Sequence, residues 1–179
     1  MNIQLSDHFN YKKLFLFTLP SVVMMVFTSV YCVVDGFFVS NFAGKTAFAA
    51  INLIMPFIMI LGGIGFMIGT GGSALVSYTL GTGDKEKANR YFSMMVYFTI
   101  LAGILLTVLG IIFVRPIAEL FGADESMMDT CVLYGRIVIA FNAAYMLQNI
   151  FQSFFVVAEK PRLGLIVTIA AGVTNMVLD

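Results

Sequence analysis

The sequence has 179 residues, of which 60% are hydrophobic and 11% charged, and its mean hydropathy is +0.95. Soluble domains carry about 25% charged residues, so this composition indicates a membrane protein. The formal net charge is zero and no run of Lys and Arg occurs, which argues against nucleic acid as a partner. Cys32 and Cys131 are isolated from each other and from histidine, which argues against a disulfide framework or a zinc site.

Five apolar stretches reach the length of roughly 20 residues that a helix needs to cross a bilayer. They run over approximately 14–40, 47–80, 91–114, 131–158 and 163–179. We therefore predict an all-α fold, a polytopic transmembrane helix bundle that takes up residues 1–179 and leaves no room for a soluble domain. A β-barrel would require alternating strands of about ten residues, whereas Ile51–Met67 is almost continuously apolar. The first stretch is too long for a cleaved signal peptide.

Lys and Arg are distributed unevenly between the ends of these helices. With the N-terminus in the cytoplasm, the cytoplasmic side receives Lys12, Lys13, Lys85, Lys87, Arg90, Lys160 and Arg162. The outer side receives only Lys45 and Arg115, and Arg136 lies early in the fourth span. The positive-inside rule thus predicts a multi-pass protein of the inner (cytoplasmic) membrane with a cytoplasmic N-terminus. Because Trp is absent, tyrosines such as Tyr134 are expected at the membrane interfaces.

Two carboxylates, Asp35 and Asp179, lie in apolar surroundings where a charge is costly and therefore suggests function. At 1.5 Å per residue, Asp35 lies roughly 31 Å from Leu14 and Asp179 roughly 26 Å from Arg162. Both helices start on the same side, so both carboxylates reach the outer leaflet at comparable depth, as a shared site requires. The alternative is that Asp35 marks a solvated helix end, and that Asp179 is an ordinary terminal residue.

Each carboxylate ends a stripe of polar or small residues on one helix face, and the fourth span carries a third stripe. The stripes are Ser21, Thr28, Tyr31 and Asp35; Thr168, Gly172, Asn175 and Asp179; and Asn142, Tyr145, Asn149 and Gln152, with Gln148 alongside. Lipid cannot hydrate such faces, so we expect them to line a cavity. Interhelical hydrogen bonding, at about 0.6 to 2 kcal/mol per pair, is the simpler alternative.

The second span is rich in glycine, at Gly62, Gly63, Gly65, Gly69, Gly71 and Gly72. Small residues at this spacing predict close helix packing. A phosphate-binding loop would need a Lys-Ser or Lys-Thr ending that is absent here. Pro20 and Pro56 remove backbone donors and are candidate hinges or static kinks.

Four stretches carry a family resemblance: LPSVVMMVFTSVYCVVDGFFVSNFAG, LGTGDKEKANRY, ELFGADESMMDTCVLYGRIVIA and AEKPRLGLIVTIAAGVTNMVLD. Together they resemble the N-terminal part of the multidrug and toxic compound extrusion (MATE) antiporters, of the multi-antimicrobial extrusion type. The family has two six-helix lobes, so the resemblance implies that this chain is a fragment with five helices of the first lobe. The remaining C-terminal helices would then be its partner.

The resemblance implies multidrug efflux, in which organic cations or amphipathic toxins leave in exchange for Na⁺ or H⁺. It assigns the coupling cation, including Na⁺ as a candidate metal, to Asp35, Asn175 and Asp179, and a bend of the first helix to Pro20. It implies no cofactor beyond that ion.

Two other membrane functions are compatible with this sequence. A lipid-linked precursor flippase of the same superfamily would need a cationic cavity, and a non-transporting membrane scaffold would insert without efflux. An enzyme is not expected, because the only histidine, His8, lies in the polar N-terminal tail.

Overall fold

Helices make up almost all of the chain in the computed structural model, which describes residues 10–178. In chain order they are α1 (Tyr11–Phe38), a π-helical turn (Val39–Ala43), α2 (Gly44–Gly81), α3 (Lys85–Leu120), α4 (Glu125–Ala140), α5 (Asn142–Val157) and α6 (Pro161–Leu178). The described range contains no strand, so the predicted all-α fold is confirmed.

Acidic side chains cap two of these helices at their N-termini. Asp84 accepts a hydrogen bond from a backbone N–H in the first turn of α3, at 3.0 Å. Asp124 does the same for α4, where it accepts from the Met127 N–H at 3.0 Å and from the Ser126 hydroxyl at 2.7 Å. The Ser126 hydroxyl and the Met127 N–H hold the pKa of Asp124 below its ordinary value of 3.8, so the cap stays ionised near neutral pH.

Three helices are long and apolar enough to cross a membrane, namely α1 with its π-helical extension, α2 and α3. The α4–α5 pair provides a fourth crossing if the two helices count as one bent span. In α6 the apolar part, Pro161–Thr174, is shorter. Large apolar side chains such as Met67 and Leu101 are about 70% exposed on the outside of the bundle, as lipid-facing residues are. The chain is therefore a multi-pass membrane protein.

The stretch that the sequence presents as one fourth span, 131–158, begins earlier and is broken in the structure. α4 and α5 meet at Phe141 with a bend of 49°. The Phe141 N–H bonds to the carbonyl of Val138, three residues back, which tightens the last turn of α4. Asn142 then starts α5, 3% exposed, with its amide donating to the Met146 sulfur at 3.4 Å.

α2 lies at the centre of the bundle and packs against α3, α4 and α5. Its first half contributes to a core around Ile54 and Ile139, both fully buried. Glycines let α5 approach: a Cβ on Gly65 would come within 2.6 Å of the Met146 Cα. Four of the six glycines of the second span thus serve helix packing, as predicted, whereas a Cβ on Gly63 or Gly71 would meet no atom within 4 Å. α1 stays outside this core and packs mainly on α6.

Candidate functional site

The candidate site lies between α1 and α6, which run parallel. Leu16 and Leu19 share a groove with Leu165 and Ile166, and further along the Phe27 ring lies against Gly172, where a Cβ would meet the ring edge at 2.6 Å. Sequence numbers therefore rise together along both helices. This pairing brings the stripe that ends at Asp35 beside the stripe of α6.

A cavity of about 260 Å³ opens in this region. Side chains from α1, α5 and α6 line it: Phe27, Thr28, Tyr31, Gln148, Thr168, Ala171 and Gly172. Among the described residues, the polar groups of this lining are hydroxyls and one amide, and none of these side chains is charged. Four members of the predicted stripes, Thr28, Tyr31, Thr168 and Gly172, are here.

A hydrogen bond beside the cavity joins α5 to α1. The Gln152 amide donates to the Met24 sulfur at 3.1 Å and so joins α5 to α1. One turn along α1, the Thr28 hydroxyl donates to the Met24 carbonyl at 2.9 Å. A hydroxyl that donates in this way still has its oxygen lone pairs to offer a ligand.

Asp35 lies on α1 about two turns beyond Thr28 and is partly buried. Tyr134, a partly buried residue of α4, packs against the Ile54 core. The π-helical turn begins four residues after Asp35, and the Val39 N–H donates to the carbonyls of Asp35 and Gly36. Such turns are frequent at functional sites because they disturb the regular helix ladder.

The structure describes only part of the predicted cation site. Asp35 belongs to the described part of α1, whereas Asp179 lies outside the described residues. Asn175 belongs to α6, but its side chain is outside what the structure describes. Within residues 10–178 no three His, Cys, Asp or Glu side chains gather as metal ligands. The assignment of the cation to Asp35, Asn175 and Asp179 stays a prediction.

The other predicted cavity residues lie elsewhere. Ser21 is partly buried on α1 but outside the cavity lining. Asn142 is buried at the start of α5, and the ring of Tyr145 lies over Gly62 of α2. Asn149 donates to the Tyr145 carbonyl at 3.1 Å, and its own carbonyl lies beside Gly69. The α5 stripe therefore follows the side of α5 that meets α2, and only Gln152 at its end reaches α1.

Gln148 and Phe27 line the cavity without being members of the three predicted stripes, although the sequence places Gln148 beside one of them. Gln148 lies four residues before Gln152, so the two share a helix face, and this spacing predicts that Gln148 lies near α1 as Gln152 does. Phe27 is apolar, so the spacing of polar residues cannot identify it. Its ring lies against Gly172 and closes the cavity wall.

A multi-pass helical membrane protein with a polar cavity beside a membrane carboxylate has the features of a transport protein. The MatE family model matches residues 20–179, so the chain belongs to the MatE family. The multidrug export protein MepA of Staphylococcus saprophyticus is 24% identical over 94% of this chain and 38% of its own length. MepA of Staphylococcus aureus (strain MRSA252) gives the same three values.

A solved structure has the same fold. The crystal structure of a MATE mutant superposes with a TM-score of 0.88 at 19% identity, over 96% of this chain and 38% of that one. The chain thus spans less than two fifths of the length of these relatives.

Proposed function

We propose that this chain belongs to a secondary transporter that exports drugs in exchange for a cation. The observation that carries the proposal is the polar cavity between α1 and α6, next to a partly buried Asp35, in a MatE-family bundle. Relatives named multidrug export proteins support drug efflux as the transport class. The substrates would be organic cations or amphipathic compounds, and the chain would act as a transporter rather than an enzyme.

The coupling ion would be a transported substrate of this protein. The carboxylate of Asp35, together with the predicted ligands Asn175 and Asp179, would bind Na⁺ or a proton. Hard cations such as Na⁺ prefer oxygen ligands, and carboxylates that are close together in a desolvated site favour neutralisation by either ion. A cationic drug would then compete with the ion for the same negative charge.

The exchange also requires two shapes of the site, one open to each side of the membrane. Pro20 cannot donate a backbone hydrogen bond within α1, and α1 stays outside the central core. Both facts support α1 as the element that bends. Ion binding would favour one shape of α1 and drug binding the other, which is sufficient for coupling.

A lipid-linked precursor flippase is the second reading from the sequence. Its pyrophosphate substrate would call for Lys or Arg in the cavity, whereas the described residues of the lining include neither. Arg136, the one cation within the predicted spans, is exposed on α4. Export of cationic or amphipathic drugs fits the lining better.

The test is an efflux assay on the full-length protein in proteoliposomes, with a fluorescent organic cation as substrate and a Na⁺ or pH gradient imposed in separate runs. Asp35→Asn should reduce gradient-driven efflux to background because it removes the charge that the ion and the drug share. Asp84→Asn is the matched control: it removes a carboxylate at an exposed N-cap, and Asn caps helices about as well as Asp. If Asp35→Asn exports the substrate at the wild-type rate under both gradients, Asp35 has no coupling role.

A further inference from the structure

A second groove, separate from the cavity at Phe27, runs between the first halves of α1 and α6. Its volume is about 390 Å³, within the range of roughly 300–1,000 Å³ that small-molecule sites occupy. Its walls are Leu16, Leu19, Pro20, Val23, Leu165 and Ile166, and Arg162 is the one charged residue among the described members of the lining. An apolar trough with a single cation at its end is an amphipathic binding surface.

Cations form the rim of this groove. The Arg162 side chain is exposed and makes no ion pair with any residue of the described range. Lys12, also exposed, lies four, seven and eleven residues before Leu16, Leu19 and Val23, so it shares their face of α1. The adjoining connection between α5 and α6 carries Lys160 and one acid, Glu159. Among the described residues, positive charge therefore dominates this end of the groove.

We propose that this groove binds an anionic phospholipid. The phosphate would lie at Arg162 and Lys12, and an acyl chain would extend along the apolar walls toward Val23. Charge complementarity selects this occupant: an apolar segment of protein would fill the trough but leave the guanidinium without a counter-charge. Clusters of Lys and Arg at the ends of membrane helices attract anionic headgroups. The proposal does not depend on transport.

The test measures which lipids the purified full-length protein retains, by native mass spectrometry. The protein is offered phosphatidylglycerol and phosphatidylcholine with the same acyl chains at equal concentration, and should retain more phosphatidylglycerol. In the Lys12→Gln/Arg162→Gln double variant, the ratio of retained phosphatidylglycerol to phosphatidylcholine should fall roughly fivefold for each cation removed, because each cation near an anionic surface contributes about 1 kcal/mol. Arg162→Lys keeps the positive charge and should retain most of the preference for phosphatidylglycerol.

A matched control separates the groove from general attraction to this end of the protein. Lys85→Gln/Arg90→Gln removes the same charge from exposed positions at the start of α3, outside the groove, and should leave the preference unchanged. Leu19→Trp should fill the trough and lower retention of both lipids, and glycerol 3-phosphate should not displace the bound lipid. Gel filtration and thermal unfolding check that each variant is folded.

Three results would overturn the proposal. Equal retention of the two lipids by the wild type would remove the headgroup selectivity. Equal losses from the groove pair and the control pair would indicate diffuse attraction rather than a site. If another segment of the protein fills the groove, neither the groove pair nor Leu19→Trp will change phosphatidylglycerol retention.

Discussion

Single glycines of α2 determine how closely its neighbour α5 can approach. Gly65 faces the backbone of Met146, whereas Gly63, two residues earlier on the same helix, has no atom within 4 Å of the position where a Cβ would be. The two glycines have the same chemistry and differ only in what they face. They therefore provide an internal comparison of packing against helix propensity.

We expect Gly65→Ala to destabilise the protein by about 1–3 kcal/mol, because the methyl group meets backbone that can move only if α5 shifts. Gly63→Ala should be neutral or stabilise by up to about 1 kcal/mol through helix propensity. In a Cys32→Ser background of this chain, the fully buried Cys131 can report unfolding through a thiol-reactive fluorophore during heating. Any other reactive thiol of the full-length protein would be replaced first. Equal melting temperatures for the two variants would contradict the packing argument.

At the scale of elements, α1 differs from the other long helices in having few neighbours. Pro20 lies within α1, in the wall of the lipid groove, and Pro56 lies within α2, the helix at the centre of the bundle. Each proline leaves the carbonyl four residues before it without its helical donor. Only α1 is placed where a bend would leave the core undisturbed, so the same local defect should have different consequences in the two helices.

We therefore expect Pro20→Ala to lower drug efflux while stability stays equal or rises, since alanine restores the hydrogen bond and stiffens α1. Pro56→Ala should leave the efflux rate near that of the wild type. Efflux in proteoliposomes and thermal unfolding in detergent, measured on the same preparations, give both quantities. Unchanged efflux in Pro20→Ala, or an equal loss in both variants, would argue against a hinge at this proline.

The helices show which features of the structure the sequence could predict and which it could not. Apolar composition predicted helices, since a backbone in lipid must satisfy its own hydrogen bonds. It could not predict the break at Phe141, because neither Pro nor Gly occurs between 136 and 148. The spacing of polar residues identified which residues of α5 share a face, but not which neighbouring helix that face contacts. Glycines draw α2 toward Tyr145 and Asn149, which leaves Gln148 and Gln152 for the side of α1.

At the scale of the whole molecule, the helix directions gather the cations at one end. α2 and α5 run parallel, because Gly62 and Gly69 meet Tyr145 and Asn149 in the same order, and α1 and α6 run parallel as well. The start of α1, the α2–α3 connection and the α5–α6 connection therefore lie together, and with them seven of the ten Lys and Arg. By the positive-inside rule this end should face the cytoplasm.

Two glutamates test this orientation as a matched pair. Glu86 and Glu125 are both exposed and both lie in the first turn of a helix, α3 and α4, at opposite ends of the bundle. With the other cysteines replaced by serine, Glu125→Cys should react with a membrane-impermeant maleimide in intact cells, whereas Glu86→Cys should react only after permeabilisation. The two substitutions are the same and so are their helical positions, so a difference in labelling reports the side of the membrane. The reverse pattern would place the cationic end, and the lipid groove with it, in the outer leaflet.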